Sequence, residues 1–263
     1  MLRSTIEFAE KYDVMVHGHL AESKSEYDFT MEQFGCSPVE WFRRNNLLGD
    51  RFYYAHCIHL DEQDIKVLAE TGTGVVSCPI SNMYLSSGSC QVRSMMDAGV
   101  ERIGLGVDGA ASSNSSNMME EMRVAYLLNR LTHEENACTS ENILYMATAG
   151  GAKALGRNDI GTLVPGKAAD LTLLDWSSLS YAGGRNDPAD CIVRSGDARM
   201  VDTVIVNGEI VVKKGRLLRI DEWQKSAYAD EISHELLQRV SKHFLALQEE
   251  IISSVQESTG GAL

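Results

Sequence analysis

DVMVHGHLAE (residues 13–22) decides how this chain folds. It opens as a short apolar run and closes on polar, reactive side chains. A strand through Val14–His19 accounts for it, with its carboxyl end at His19 to Glu22. Residues two apart on a strand share a face, so His17 and His19 point the same way and both can reach one metal ion. Glu22 comes three residues later, past the strand end. It is placed to sit beside such an ion without binding it, the position of a proton shuttle.

The design recurs along the chain. RFYYAHC (51–57) is aromatic and β-prone, a second strand that delivers His56. Asp61 then caps a helix in DEQDIKVLAE (61–70), which Gly72 ends. GVVSCP (74–79) is a third strand, followed by a helix over 91–98. RIGLGVD (102–108) is a fourth and delivers Asp108. Two amphipathic helices follow, over 118–131 and 140–155. Helices are also predicted over 2–12, 24–34 and 38–46, the last opening at Ser37-Pro38. Strand alternating with helix means parallel strands joined by crossover helices. The near-continuous apolar strands are what a sheet covered on both faces requires. The first polar residues after each strand are the reactive ones: His19 and Glu22, His56, Ser81 and Asn82, Asp108. A (β/α)8 barrel and a doubly wound sheet both carry their sites on that edge, so the pattern leaves both architectures open.

Each candidate has a plain structural alternative. His56 taken alone is as well read as a core or surface histidine. Asp108 followed by Gly109 is a turn former or helix cap, with the glycine letting the backbone turn away. Their shared position at one end of successive strands is what raises them together. Imidazole and carboxylate in an open site suit zinc or ferrous iron, which brings the pKa of a bound water from about 15.7 toward about 7.

The 263 residues carry 24 basic and 37 acidic side chains, net −13. A surface of that sign repels phosphate backbones, which argues against nucleic acid as a partner. No apolar run is long enough to span a bilayer, and the first residues lack the apolar core of a secretion signal. The six cysteines (Cys36, Cys57, Cys78, Cys90, Cys138 and Cys191) form no CxxC pair and read as reduced, buried thiols of a cytoplasmic protein. Past residue 157 the pattern changes to short β runs with turn signals, among them Asn207-Gly208, a hairpin dipeptide. Residues 221–256 return to helical spacing.

HGHLAE (17–22), YYAHC (53–57), CPISNMYLSSG (78–88) and GLGVDGAASSNSSNMMEEMR (104–123) resemble the cytosine-deaminase-like branch of the amidohydrolase superfamily. EQFGCSPVEW (32–41) and the Ser-rich loop after Asp108 resemble the 8-oxoguanine deaminases, often grouped with hydroxyatrazine aminohydrolases. GTLVPGKAADLTLLD (161–175) and VNGEIVV (206–212) resemble the family's C-terminal β segment. The resemblance runs from about residue 2 to about 220. It implies an α/β fold: the C-terminal half of a TIM-type (β/α)8 metal-dependent hydrolase barrel over 1–156, a small β segment over 157–220 and a helical tail over 221–263. It implies one divalent metal ion, zinc or iron, bound by His19 and Asp108. Glu22 would carry a proton from water to the leaving nitrogen. His56 would polarise the water or the developing oxyanion, and Asp108 would also take the water's proton. His17, Ser81 and Asn82 are expected to touch substrate, the last two from a rim loop. The implied reaction is hydrolytic deamination of an amino-substituted N-heterocycle, an oxidised purine such as 8-oxoguanine. A triazine, a pterin or an adenosine-like nucleoside is the alternative substrate, and a non-catalytic fragment the alternative role. A homodimer is the usual expectation for such a protein.

One motif of the resembled family is missing. That family places a first HxH pair of metal histidines after barrel strand 1, and the HGH here is followed by the LAE of strand 5. A complete barrel takes about 250 residues, whereas the strand–helix part of this chain takes roughly 150. The expectation is an N-terminally truncated copy that does not deaminate alone, because the first histidine pair would be absent.

Overall fold

The computed structural model describes residues 2–258, with side chains for all of these except 2, 3, 134 and 245–258. The last residues of the expected helical tail, 259–263, lie outside the described residues. Two compact units are present, Met1–Ile210 and Val211–Leu263.

In the first unit, α1 (Leu2–Tyr12) leads into β1 (Val16–Leu20), followed by α2 (Lys24–Phe34) and α3 (Pro38–Arg44). Then come β2 (Phe52–His56), α4 (Glu62–Thr71), β3 (Gly74–Ser77), α5 (Pro79–Tyr84), α6 (Val92–Asp97) and β4 (Ile103–Leu105). After β4 come α7 (Ala110–Ser113), α8 (Met118–His133), α9 (Ser140–Tyr145) and α10 (Gly151–Ala154). The strands pair parallel in the order β1-β2-β3-β4. These are consecutive βα units of TIM-barrel type, as the alternation required. Capping fixes the helix starts: Ser23 and Ser37 accept the N–H groups of Glu26 and Glu40, and Asp61 and Asp64 form a reciprocal capping box. Gly35 and Gly72 end α2 and α4 in the left-handed conformation.

The core lies between sheet and helices. Leu20, Leu68, Val75, Met95, Ile103, Ile143 and Met146 are essentially sealed from solvent. Each such side chain contributes roughly 1.5–3 kcal/mol relative to exposure. All six cysteines are buried with free thiols.

The structure departs from the sequence expectation in two places that matter for the site. Ser81 and Asn82, expected on a rim loop, lie in α5, and Pro79, expected to close the third strand, opens that helix. Pro79 stands at its first turn, where a missing N–H costs nothing. The helix expected over 140–155 is interrupted by a π turn at Met146–Gly150. That widened turn sets Gly150 against β4 so closely that an added Cβ would lie 2.2 Å from the Ile103 carbonyl oxygen.

Further along the first unit, β5 (Leu171–Leu174) pairs antiparallel with β6 (Val201–Val206), with a register shift between Leu173 and Leu174. Between them lies α11 (Pro188–Ser195). Tyr181, Cys191 and Met200 form a small separate cluster. Asn207 and Gly208 both take positive φ, 49° and 81°, as the hairpin reading of that dipeptide requires. β7 (Glu209–Lys213) begins at the end of the first unit and runs into the second, where its residues Val212 and Lys213 pair antiparallel with β8 (Arg216–Leu217), and α12 (Glu222–Ser258) follows. Among the described residues no helix is long and apolar enough to cross a membrane.

Candidate active site

Register brings the candidate residues to one edge. Leu20 at the end of β1 stands opposite His56 at the end of β2, and His19 stands beside Ala55. Just past these strand ends the backbone is strained. Ala21 (φ 51°), His56 (φ 74°), Cys57 (φ 48°) and Asp108 (φ 60°) all take the left-handed conformation without being glycine. Such residues cost of order 1–3 kcal/mol each and persist only where the surroundings over-determine them. Here they do: the Ala21 carbonyl accepts the N–H groups of both Ile58 and His59 at 3.0 Å. The Glu26 carboxylate accepts the N–H of Ala21 at 3.0 Å and of Glu22 at 2.9 Å. Gly109, expected to make the turn after β4, has an ordinary φ of −71° and stands at the N-cap of α7. Asp108 itself carries the left-handed turn, so the bend lies at the functional side chain and not after it.

His19 Nδ1 lies 3.9 Å from Glu22 Oε2, and His56 Nε2 lies 3.6 Å from the same oxygen. The rings of His19 and His56 meet edge to face, centroids 4.9 Å apart. His19, Glu22 and His56 offer ligand atoms that all lie within 4.8 Å of one another. Asp108 falls outside that trio but joins it through His56, whose Nε2 is 3.9 Å from Asp108 Oδ2. Burial pushes the Asp108 carboxyl up, but the Ser81 hydroxyl, the Gly109 N–H, His56 and the Ser112 hydroxyl outweigh it and hold it below the usual carboxylate range. His17 is exposed on the same face as His19 and stacks on Tyr53, ring centroids 4.5 Å apart. A cavity runs past His17, His19, Tyr53, Cys78 and Asp108. Cys78 is no nucleophile there, because burial pushes its thiol up to about 12.

Ser81 and Asn82 are not on the rim. Both are fully buried on α5, behind the strand-end residues. Ser81 Oγ donates to Asp108 Oδ2 at 2.5 Å, and Asn82 Oδ1 lies 2.7 Å from His56 Nδ1. A hidden α5 explains the error, since PISNMY carries no helix signal beyond its proline. Sequence reasoning also missed Glu26, the clamp on Glu22, though Ser23-x-x-Glu26 has capping-box spacing. It missed Glu121 too, a buried carboxylate on α8 that accepts the Ile80 N–H at 3.1 Å and so holds the start of α5. Burial pushes Glu121 up to about 7 against that hydrogen bond.

The donor set fits a divalent cation. His56 Nε2 is a buried ring nitrogen with no hydrogen-bond partner, flanked by two carboxylates beyond hydrogen-bond length. Native structures rarely leave such an atom unpaired without a functional reason. Imidazole and carboxylate oxygen are ligands that zinc and iron both accept.

A profile of the amidohydrolase family matches residues 1–211. The 5-methylthioadenosine/S-adenosylhomocysteine deaminase of Desulforudis audaxviator is 40% identical over 241 residues, 91% of this chain and 56% of that protein. The 8-oxoguanine deaminase of Pseudomonas aeruginosa is 41% identical over 221 residues, 84% of this chain and 49% of the relative. Among solved structures, an adenosine deaminase from Xanthomonas campestris with bound zinc superposes with a TM-score of 0.86 at 30% identity, covering 90% of this chain and 54% of that one. The chain thus spans about half the length of the relatives it matches.

Proposed function

This chain belongs to the amidohydrolase family, and we propose that the whole protein is a metal-dependent aminohydrolase that removes an exocyclic amine from a purine ring. The observation that carries this reading is the convergence of His19, Glu22, His56 and Asp108 at one strand edge, with the buried His56 Nε2 left unpartnered among them.

His19 and Asp108 would hold the metal ion, and zinc is favoured over iron by the zinc in the similar adenosine deaminase. When bound, the ion supplies Lewis acidity that makes a water acidic near neutral pH. The remaining work belongs to the side chains. Asp108, kept a carboxylate, accepts a proton from the attacking water. The water oxygen adds to the ring carbon that bears the amine. His56 faces the developing negative charge from Nε2. Glu22, held by Glu26 through the backbone, passes the water's other proton to the ring nitrogen as the C=N electron pair moves onto it; the proton taken by Asp108 goes to the exocyclic amine, the carbon–nitrogen bond breaks, and ammonia leaves as the carbonyl forms. His17, exposed and stacked on Tyr53, is offered as a substrate contact.

The substrate favoured is an oxidised purine base of the 8-oxoguanine type. The similarity to a 5-methylthioadenosine/S-adenosylhomocysteine deaminase favours an adenosine-like nucleoside as the second reading. Steady-state ammonia release by the whole protein from 8-oxoguanine, 5-methylthioadenosine, adenosine and hydroxyatrazine separates them. The highest kcat/KM is expected for 8-oxoguanine. A nucleoside preference would transfer the assignment to the second reading, and no ammonia from any substrate by metal-loaded protein would overturn both.

A further inference from the structure

We propose that Glu121 is a positioning residue for the reacting centre: from α8 it caps the short helix α5, whose Ser81 and Asn82 hold Asp108 and His56. The proposal rests on the reading that Asp108 and His56 belong to that centre.

α5 cannot place itself. It has six residues, and isolated helices shorter than about 12–15 residues are marginal in water. Its N-cap residue is Cys78, which makes no side-chain capping bond. A serine, threonine, aspartate or asparagine there would take one of the free N–H groups of the first turn. Pro79 has no N–H, so the first of these donors in α5 belongs to Ile80. Glu121 Oε2 accepts it at 3.1 Å, from 41 residues further along the chain. The cap that the local sequence lacks is thus supplied by α8.

Glu121 is 1% exposed, and its Oε1 is buried without a hydrogen-bond partner. Burying a carboxyl group with one oxygen unpaired is unfavourable, and native structures rarely keep such a group without a reason. An apolar side chain would fill the space without that cost, so packing of α8 alone does not call for a glutamate. The bond to Ile80 needs only an acceptor, and Oε2 can accept whether the carboxyl is ionised or neutral.

What this bond fixes lies one and two residues on. Ser81 Oγ donates to Asp108 Oδ2 at 2.5 Å, and Asn82 Oδ1 lies 2.7 Å from His56 Nδ1. Asp108 follows β4 and His56 ends β2. One helix capped from α8 therefore sets groups from two strands relative to each other. A misplacement of about 1 Å at reacting groups can cost roughly a hundredfold in rate.

The test is the kinetics of the whole protein on one purine substrate. Glu121→Ala removes the cap and is expected to lower kcat by about tenfold to a hundredfold, with KM nearly unchanged. Glu121→Gln keeps an acceptor for Ile80 N–H and is expected to recover most of that loss. In a double variant with Ser81→Ala the combined loss should fall short of the product of the two single losses, because Glu121 acts through the helix that carries Ser81. A glutamate that only stabilises the fold predicts natural kcat in folded Glu121→Ala. That result overturns the proposal, as do equal losses in Glu121→Ala and Glu121→Gln, or losses that multiply in full in the double variant. Where Glu121→Ala does not fold, Glu121→Asp, which draws the carboxylate back by one methylene, takes its place under the same outcomes. Hydrogen exchange over residues 79–85 of the whole protein, read by mass spectrometry, does not depend on turnover. Exchange in Glu121→Ala is expected to be at least about tenfold faster than in the natural sequence or Glu121→Gln; an unchanged rate overturns the proposal. This exchange pattern in a protein that releases no ammonia from any purine would sink the deaminase reading and leave the hold of Glu121 on α5 standing.

Discussion

Glu22 turns its Oε2 toward His56, 3.6 Å from Nε2, while the Glu26 carboxylate holds the Glu22 N–H at 2.9 Å from the other side. One carboxylate is thus fixed through its backbone by a second, and its free end faces an imidazole delivered by the adjacent strand. That is the arrangement expected of a group that moves a proton and returns to the same place.

Replacing Glu22 by Gln keeps its shape and removes its proton affinity. In the whole protein, kcat for ammonia release should fall by about 10²–10⁴, the usual worth of a positioned acid–base group, with little change in KM. Turnover within about tenfold of the natural sequence would deny Glu22 that role.

His19→Ala and Asp108→Ala should each strip the ion. Metal content of the whole protein, measured by elemental analysis after dialysis, is expected to fall from near one ion per chain to a small fraction, with affinity lowered at least about tenfold. Undiminished metal in both variants would place the ion elsewhere.

The reach and the limits of the sequence can be traced to particular residues. His19, His56 and Asp108 were legible as strand-end residues because each follows a near-continuous apolar run, and parallel pairing brings the ends of such runs to one edge. The hairpin at Asn207-Gly208 was legible because few dipeptides tolerate two positive φ angles. Asn82 and Ser81 were misread because a six-residue helix leaves no periodicity, and burial is a property of what packs around a residue. The left-handed Asp108 was misread for a related reason. Local rules assign such a turn to Gly109, and the Ser81 hydroxyl that helps to hold Asp108 comes from 27 residues earlier in the chain. The π turn at Met146–Gly150 had no local signal either, since it answers to the close approach of β4.

Glu121 should make stability depend on pH. Its folded-state pKa lies near 7, above the ordinary 4.5. A raised carboxyl favours folding fully below about 4.5, and this contribution is lost as pH rises through about 7. The effect is of order 1–3 kcal/mol. Urea unfolding at pH 5 and pH 8 should show Glu121→Gln gaining on the natural sequence at the higher pH. Parallel behaviour at both pH values would show that Glu121 is not protonated in the fold.

Gly150→Ala should destabilise the first unit. The new Cβ would meet the Ile103 carbonyl at 2.2 Å, a backbone contact that cannot be relieved by a rotamer change. A loss of about 1–3 kcal/mol in chemical unfolding is expected, the usual penalty for overpacking. An unchanged midpoint would mean that the π turn can move away from β4.

The most direct measurement is anomalous diffraction at the zinc edge from crystals of the whole protein grown with zinc. A peak is expected within coordination distance of His19 and Asp108 and adjacent to Glu22 and His56. Zinc bound only at other side chains, with these four turned away from it, would rule out a metal centre built from them.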